Sequence, residues 1–195
     1  CMYVYGIPGL ATKVDRDLVQ FPIINAGSPD AHPAHVLADV ACMLRYTRDD
    51  LKKARVGWLG CTNGTLFSLI EGLQVALPPL EDRPTLETYA RHCGVKVDFV
   101  DTPQQAVEGC NFVYAGCRSG LDEEMSQQWK VDDALLAHAA PKARVLLGTS
   151  PMQAIEVASD ILASPASLLL LQSENRLRVH KRLLHWVFLE NERAI

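Results

Sequence analysis

A chain of 195 residues with 48% apolar side chains can build one substantial core or two small ones, but not three domains. Its net charge of −4 and 22% charged residues give an ordinary surface, with no basic footprint for nucleic acid or an anionic membrane. The longest apolar runs, such as ASLLLLQ at 166–172, fall far short of the roughly 20 residues that a membrane-spanning helix needs.

In chain order, MYVY (2–5) reads as a strand, VDRDLVQ (14–20) as a short helix and FPIIN (21–25) as a second strand. HPAHVLADVACMLRY (32–46) follows as a helix, with Pro33 suited to its first turn and Val36, Leu37, Val40, Ala41 and Leu44 on one apolar face. After the charged break TRDDLKKA, the strand RVGWL (55–59) runs into GCTNGT and the helix LFSLIEG (66–72). LQVAL (73–77), VKVDFV (95–100), FVYAG (112–116), RVLLG (144–148) and SLLLL (167–171) are further strand candidates. SENRLRVHKRLLHWVF (173–188) closes the chain as a helix with Ser173 in N-cap position; its basic stripe of Arg178, Lys181, Arg182 and His185 is a solvated face or a binding face. Strands alternating with helices predict an α/β fold built on a doubly wound parallel sheet. Ligands of such sheets sit outside the carboxyl ends of the strands, which singles out the loops after Leu59, Ala115 and Leu147.

Six cysteines, at 1, 42, 61, 93, 110 and 117, show no CxxC pairing, the pattern of reduced thiols in a cytoplasmic protein rather than of a disulfide scaffold or zinc site. The opening CMYVYG has no basic segment followed by an apolar one, so no secretion signal is expected. No cofactor and no metal are expected. Two histidines, His32 and His35, bracket a proline where the polar stretch NAGSPDA becomes an apolar helix. By itself a histidine at a helix start is more often structural than functional.

HPAH after PIINAGSPDA, WLGCTNGTLFS after a strand, and SENRLRVHKRLLHW near the end occur in the order of the HPxQ, GDxxN and ENR segments of the aspartate/ornithine carbamoyltransferases. The sequence resembles that family over almost its whole length, and ENRL followed by an amphipathic helix resembles the ornithine branch more closely. The resemblance implies the family's second-domain sheet with a fragment of the first domain. Residues 1–50 correspond to the tail of the carbamoyl-phosphate domain, 51–172 to the amino-acid-binding domain, and 173–195 to a C-terminal helix returning to the first domain. It also implies carbamoyl phosphate and an amino acid acceptor as partners, in a homo-oligomer that is a trimer in the family. The family's phosphate loop, Ser-x-Arg-Thr-Arg, is nowhere in these 195 residues. A helix N-terminus with guanidinium groups is what neutralises a phosphate dianion, so the 195 residues alone are expected to be inactive.

Residue by residue, the resemblance gives His32 the role of hydrogen-bonding the carbamoyl carbonyl, and Arg176 that of reaching carbamoyl phosphate; these are the catalytic candidates. His35 stands at the motif glutamine, Asn63 keeps an asparagine that would hold the acceptor's α-carboxylate or α-amino group, and Ser119 matches an acceptor-site serine. Thr149 and Pro151, in GTSP, stand in the family's HCLP. Other positions depart from the pattern: Gly6 replaces a phosphate-site arginine, Cys61 an aspartate, and Ala115 an acceptor-binding aspartate. Two functions follow. One is transfer of a carbamoyl group to an amino acid amine by the intact protein; the other is a catalytically silent or repurposed paralogue acting as an amino-acid-binding or assembly scaffold. If His35 faces the ligand with an ordinary histidine pKa, carbamoyl phosphate binding should weaken as pH falls through about 6.5.

Overall fold

The computed structural model describes residues 2–5, 21–71, 74–77, 83–116, 127–148 and 156–190. Strand β1 (Met2–Tyr5) pairs in parallel with β2 (Ile23–Gly27), and helix α1 (Pro33–Thr47) follows. The main sheet then starts with β3 (Arg55–Leu59), followed by α2 (Gly64–Ile70), β4 (Gln74–Leu77), α3 (Arg83–Cys93), β5 (Val97–Phe99) and α4 (Pro103–Val107). The second half supplies β6 (Phe112–Ala115), α5 (Asp133–Leu136), β7 (Arg144–Leu147), α6 (Ser159–Ala163) and the long α7 (Leu169–His185). All pairings are parallel and the strand order is β5-β4-β3-β6-β7, the doubly wound topology that the alternating pattern predicts. The order reverses between β3 and β6, so their carboxyl ends form the switch point.

The central strands are covered on both faces, which is why they read as unbroken apolar runs rather than as alternating ones. Strand periodicity sends Val56, Trp58, Phe112, Tyr114 and Leu146 to one core, with Leu66, Leu69 and Ile70 of α2 and Cys42 and Met43 of α1. Leu59, Val113, Ala115, Val145 and Leu147 go to the other, under α4, α5 and α6. On that second face a β-carbon at Gly57 would lie 2.4 Å from the Ala106 carbonyl oxygen, so α4 packs this closely only because β3 carries a glycine there. Trp58 stacks on Tyr114 with ring centroids 4.8 Å apart. No helix among the described residues is long and apolar enough to cross a membrane.

Three local expectations are corrected. SLLLL is not a strand: Ser167 makes one isolated bridge to Val145, and α7 already begins at Leu169, because leucine is among the best helix formers. Ser173 therefore sits inside that helix, where its hydroxyl donates back to the Leu169 carbonyl (3.0 Å), rather than capping it. On α1 the buried face is Val36, Asp39, Cys42 and Met43, while Leu37 is 52% exposed. The helix is turned this way because α7 packs across α1 and brings polar partners for Asp39. The expected helix at 14–20 lies outside the described residues.

Candidate active site

The site is built on the end of β2. Asn25 Oδ1 accepts the Gly27 backbone N–H (2.9 Å), and the Ser28 hydroxyl both accepts from the Ala31 N–H and donates to the Ala31 carbonyl (3.1 Å each), closing a tight turn. Gly27 has φ +149°, and a β-carbon there would sit 2.2 Å from His32 Nε2. Only glycine lets the imidazole lie across the strand end. The His32 N–H donates to Ser68 Oγ on α2 (3.0 Å), and Gly64, which opens α2, approaches so near that its β-carbon would be 2.3 Å from the Ser28 carbonyl oxygen. His32 is thereby fixed at the amino end of α1, between β2 and α2.

One turn into α1, His35 meets His32 edge to face, with centroids 5.0 Å apart and the planes at 80°. Below it lies Asp39, fully buried, on the same helix face. Asp39 Oδ2 accepts a 2.5 Å hydrogen bond from the Tyr114 hydroxyl, and Oδ1 a 2.8 Å bond from Gln172 Nε2. Gln172 also closes the end of β7, accepting from the Leu147 N–H (2.9 Å) and donating to the Leu147 carbonyl (3.1 Å). Arg176, one turn further along α7, donates from Nη2 to that same carbonyl (3.1 Å) and contacts His35 Nε2, with Asp39 Oδ1 3.9 Å away. Because a guanidinium only donates, His35 Nε2 is the acceptor in that contact and the proton resides on Nδ1.

Burial sets the charges. It pushes Asp39 up to about 6, against the pull of Arg176 and the hydrogen bonds from Tyr114 and Gln172. Burial and then the Arg176 guanidinium drive His35 down to about 3, and the same two influences, with His180, lower His32. At neutral pH Asp39 is an anion and both imidazoles are neutral. The His35–Asp39 approach of 3.3 Å is therefore not an ion pair, and Arg176 is the counter-charge. The expected titration of His35 near 6.5 is thereby corrected. Carbamoyl phosphate titrations of wild type and His35→Gln between pH 5 and 8 should run parallel; a pH dependence that disappears in the variant would contradict the buried, neutral ring.

The structure brings together His32, His35 and Arg176. Asn63 caps α2: its Oδ1 accepts from the Thr65 and Leu66 N–H groups at 3.0 and 3.1 Å. Its amide hydrogens are what remain for a ligand, which suits a carboxylate and not an ammonium. Asn63→Ala should lower stability by about 1 kcal/mol, the usual worth of an N-cap, measured by urea unfolding. Ala115 ends β6 in the buried core with its carbonyl accepting from Gly148 N–H (2.8 Å). Ser119, Thr149, Pro151, Gly6 and Cys117 lie outside the described residues. Sequence reasoning missed Asp39, Gln172, Tyr114 and His180. Asp39 was signalled by a carboxylate four residues after His35, and Gln172 and His180 by helical spacing on either side of Arg176; Tyr114 carried no signal, because its partner is 75 residues away.

The fold is that of a doubly wound α/β protein, with neutral imidazoles and a guanidinium gathered at the carboxyl edge of the sheet, where such folds bind their ligands. The chain belongs to the aspartate/ornithine carbamoyltransferase family, whose Asp/Orn-binding-domain model matches residues 53–187. It is 34% identical over 194 residues to an ornithine carbamoyltransferase of Oleidesulfovibrio alaskensis, covering 90% of this chain and 64% of that one. It is 28% identical over 191 residues to the Bacillus subtilis ornithine carbamoyltransferase, covering 88% and 60% respectively. Among solved structures, ornithine carbamoyltransferase from Thermus thermophilus superposes with a TM-score of 0.76 at 25% identity, over 93% of this chain and 63% of that one. A mitochondrial ornithine carbamoyltransferase from Coccidioides immitis shares the fold, with a TM-score of 0.79 at 21% identity over 94% and 64%. The chain thus spans less than two-thirds of the length of these relatives.

Proposed function

We propose that the intact protein transfers the carbamoyl group of carbamoyl phosphate to the amino group of an amino acid. The observation that carries this reading is the convergence of His32, His35 and Arg176, the last two 141 residues apart in sequence, at one strand edge. In this reading the neutral His32 donates its N–H to the carbamoyl oxygen. As the uncharged amine attacks the carbon, the carbonyl electrons move onto that oxygen and the hydrogen bond strengthens. The oxyanion then re-forms the carbonyl as the carbon–oxygen bond to phosphate breaks, phosphate departs with the electron pair, and the amine nitrogen gives up its proton to a departing phosphate oxygen. Arg176 faces the leaving phosphate, and Asn63 with Ser119, Thr149 and Pro151 forms the acceptor side. The remaining phosphate cations come from a further domain or a partner subunit. The working unit in this reading is a cytoplasmic homotrimer, with residues 1–50 and 173–195 joined to the carbamoyl-phosphate domain.

A second reading, a silent or repurposed paralogue, is favoured by Ala115 and by the inward turn of Arg176 onto His35, the Leu147 carbonyl and Asp39. An acceptor ammonium finds no carboxylate at Ala115 to orient it. The two readings separate in one assay: phosphate release from carbamoyl phosphate by the intact gene product across a panel of amino acids and polyamines. Acceptor-dependent release supports the enzyme, and its absence supports the paralogue.

A further inference from the structure

At the other end of the molecule the last turn of α1 and the amino ends of β6 and β7 enclose a cleft of about 510 Å³. Fifteen residues of α1 separate it from His32, about 22 Å along the helix axis. Arg48, Lys142 and Arg144 line it, with Tyr46 and Asn111, and no carboxylate is among its lining residues. None of the three cations is in an ion pair among the described residues. Arg144 lies 4.6 Å from the Tyr46 ring centroid and donates from Nη1 to the Pro165 carbonyl, while its buried Nε has no acceptor among the described residues. Asn111 Oδ1 is occupied by the Arg55 N–H (3.2 Å), leaving its amide hydrogens as donors.

The backbone adds an independent observation. Among the described residues only Arg48, Asp49 and Lys142 combine a side chain with positive φ, and two of these three are the cleft's own cations, at 53° and 65°. Arg48 adopts it as the left-handed C-cap of α1, its N–H donating to the Leu44 carbonyl, so the end of the helix places this cation at the cleft. The three cations around one cleft repel each other until an anion enters.

We propose that this cleft binds a small-molecule phosphate monoester. A phosphate dianion leaves one of the three cations uncompensated where a carboxylate would leave two, and its oxygens suit guanidinium donors. The cleft is larger than inorganic phosphate needs and within the range of metabolite pockets, and the exposed part of Tyr46 offers an apolar flank for the organic portion. The proposal is independent of carbamoyl transfer, since no residue is shared with the His32 cluster.

The test is calorimetric titration of the full-length protein with inorganic phosphate and with ribose 5-phosphate, for wild type, His32→Ala and the Arg48→Asn/Lys142→Asn pair. Asparagine tolerates positive φ, so the pair removes charge without changing backbone preference. Ribose 5-phosphate should bind more tightly than inorganic phosphate, keep its affinity in His32→Ala, and weaken about tenfold or more in the double variant. Equal affinities for wild type and the double variant would overturn the site, and ribose 5-phosphate binding no tighter than phosphate would overturn the monoester assignment. Should circular dichroism show the double variant unfolded, Lys142→Asn alone should weaken binding about threefold, and no change there would equally overturn it.

Discussion

Replacing His32 by alanine is expected to slow carbamoyl transfer by the intact protein about a hundredfold, the usual cost of removing one donor from a developing oxyanion. The ring is held on three sides, by Gly27, by Ser68 through its backbone and by the edge of His35, so the donor is positioned before the ligand arrives. Burial and Arg176 keep it neutral, so its N–H is offered without an added charge that would bind the ground state equally well. The loss should therefore fall on kcat, with KM for carbamoyl phosphate changed far less. Steady-state kinetics on wild type, His32→Ala and His32→Asn, whose amide can still donate, would read this. A variant as fast as wild type would remove His32 from the chemistry; partial recovery in His32→Asn would identify the hydrogen bond as what was lost.

Asp39 is expected to have the largest effect on folding. Its carboxyl is pushed from 3.8 up to about 6, so between those values the folded chain holds a proton that the unfolded chain has released. Stability from this group is therefore complete below about 3.8 and is lost as pH rises through about 6, by about 3 kcal/mol for a shift of about two units. Asp39→Asn cannot ionise and keeps an oxygen for Gln172. The difference in unfolding free energy between wild type and Asp39→Asn should thus move in favour of the variant from pH 4.5 to 7.5, measured by urea denaturation. Parallel curves would show that Asp39 does not change its charge in this range. Asp39→Ala is a different experiment: it leaves the Tyr114 hydroxyl and a Gln172 N–H without their acceptor and Arg176 without its counter-charge. That should cost about 3–5 kcal/mol at neutral pH.

These two residues also mark the limit of what could be read from the chain. His32 was legible because a motif of a few letters carried it, in order with WLGCTNGT and SENRL. Asp39 had only its spacing from His35 to point to it: it sits in an apolar helix pattern, and its partners Tyr114 and Gln172 lie 75 and 133 residues away. The expected apolar face of α1 held at Val36 and Val40 and missed at Leu37 for the same reason, since helical spacing tells which residues share a side but not which side another helix covers. His35 was placed at the right helix start but given an ordinary pKa, because burial and the approach of Arg176 from 141 residues away are absent from local sequence.

By itself the sequence determined the parallel α/β architecture and the family. RVGWL, FVYA and RVLL read as strands of a parallel sheet, with RVLL lying at its edge, and the rule for such sheets singles out the loops after Leu59, Ala115 and Leu147. Short-range rules reach that far because period, propensity and turn chemistry act within a few residues. Only the tertiary structure decided that α7 lies across α1, that Gln172 and Arg176 close on Asp39 and the end of β7, and that Arg48, Lys142 and Arg144 meet at one cleft. Each of these is a contact between segments far apart in the chain, and what chooses among the possible contacts is the burial of apolar surface together with the need to pair every polar group that goes in with it.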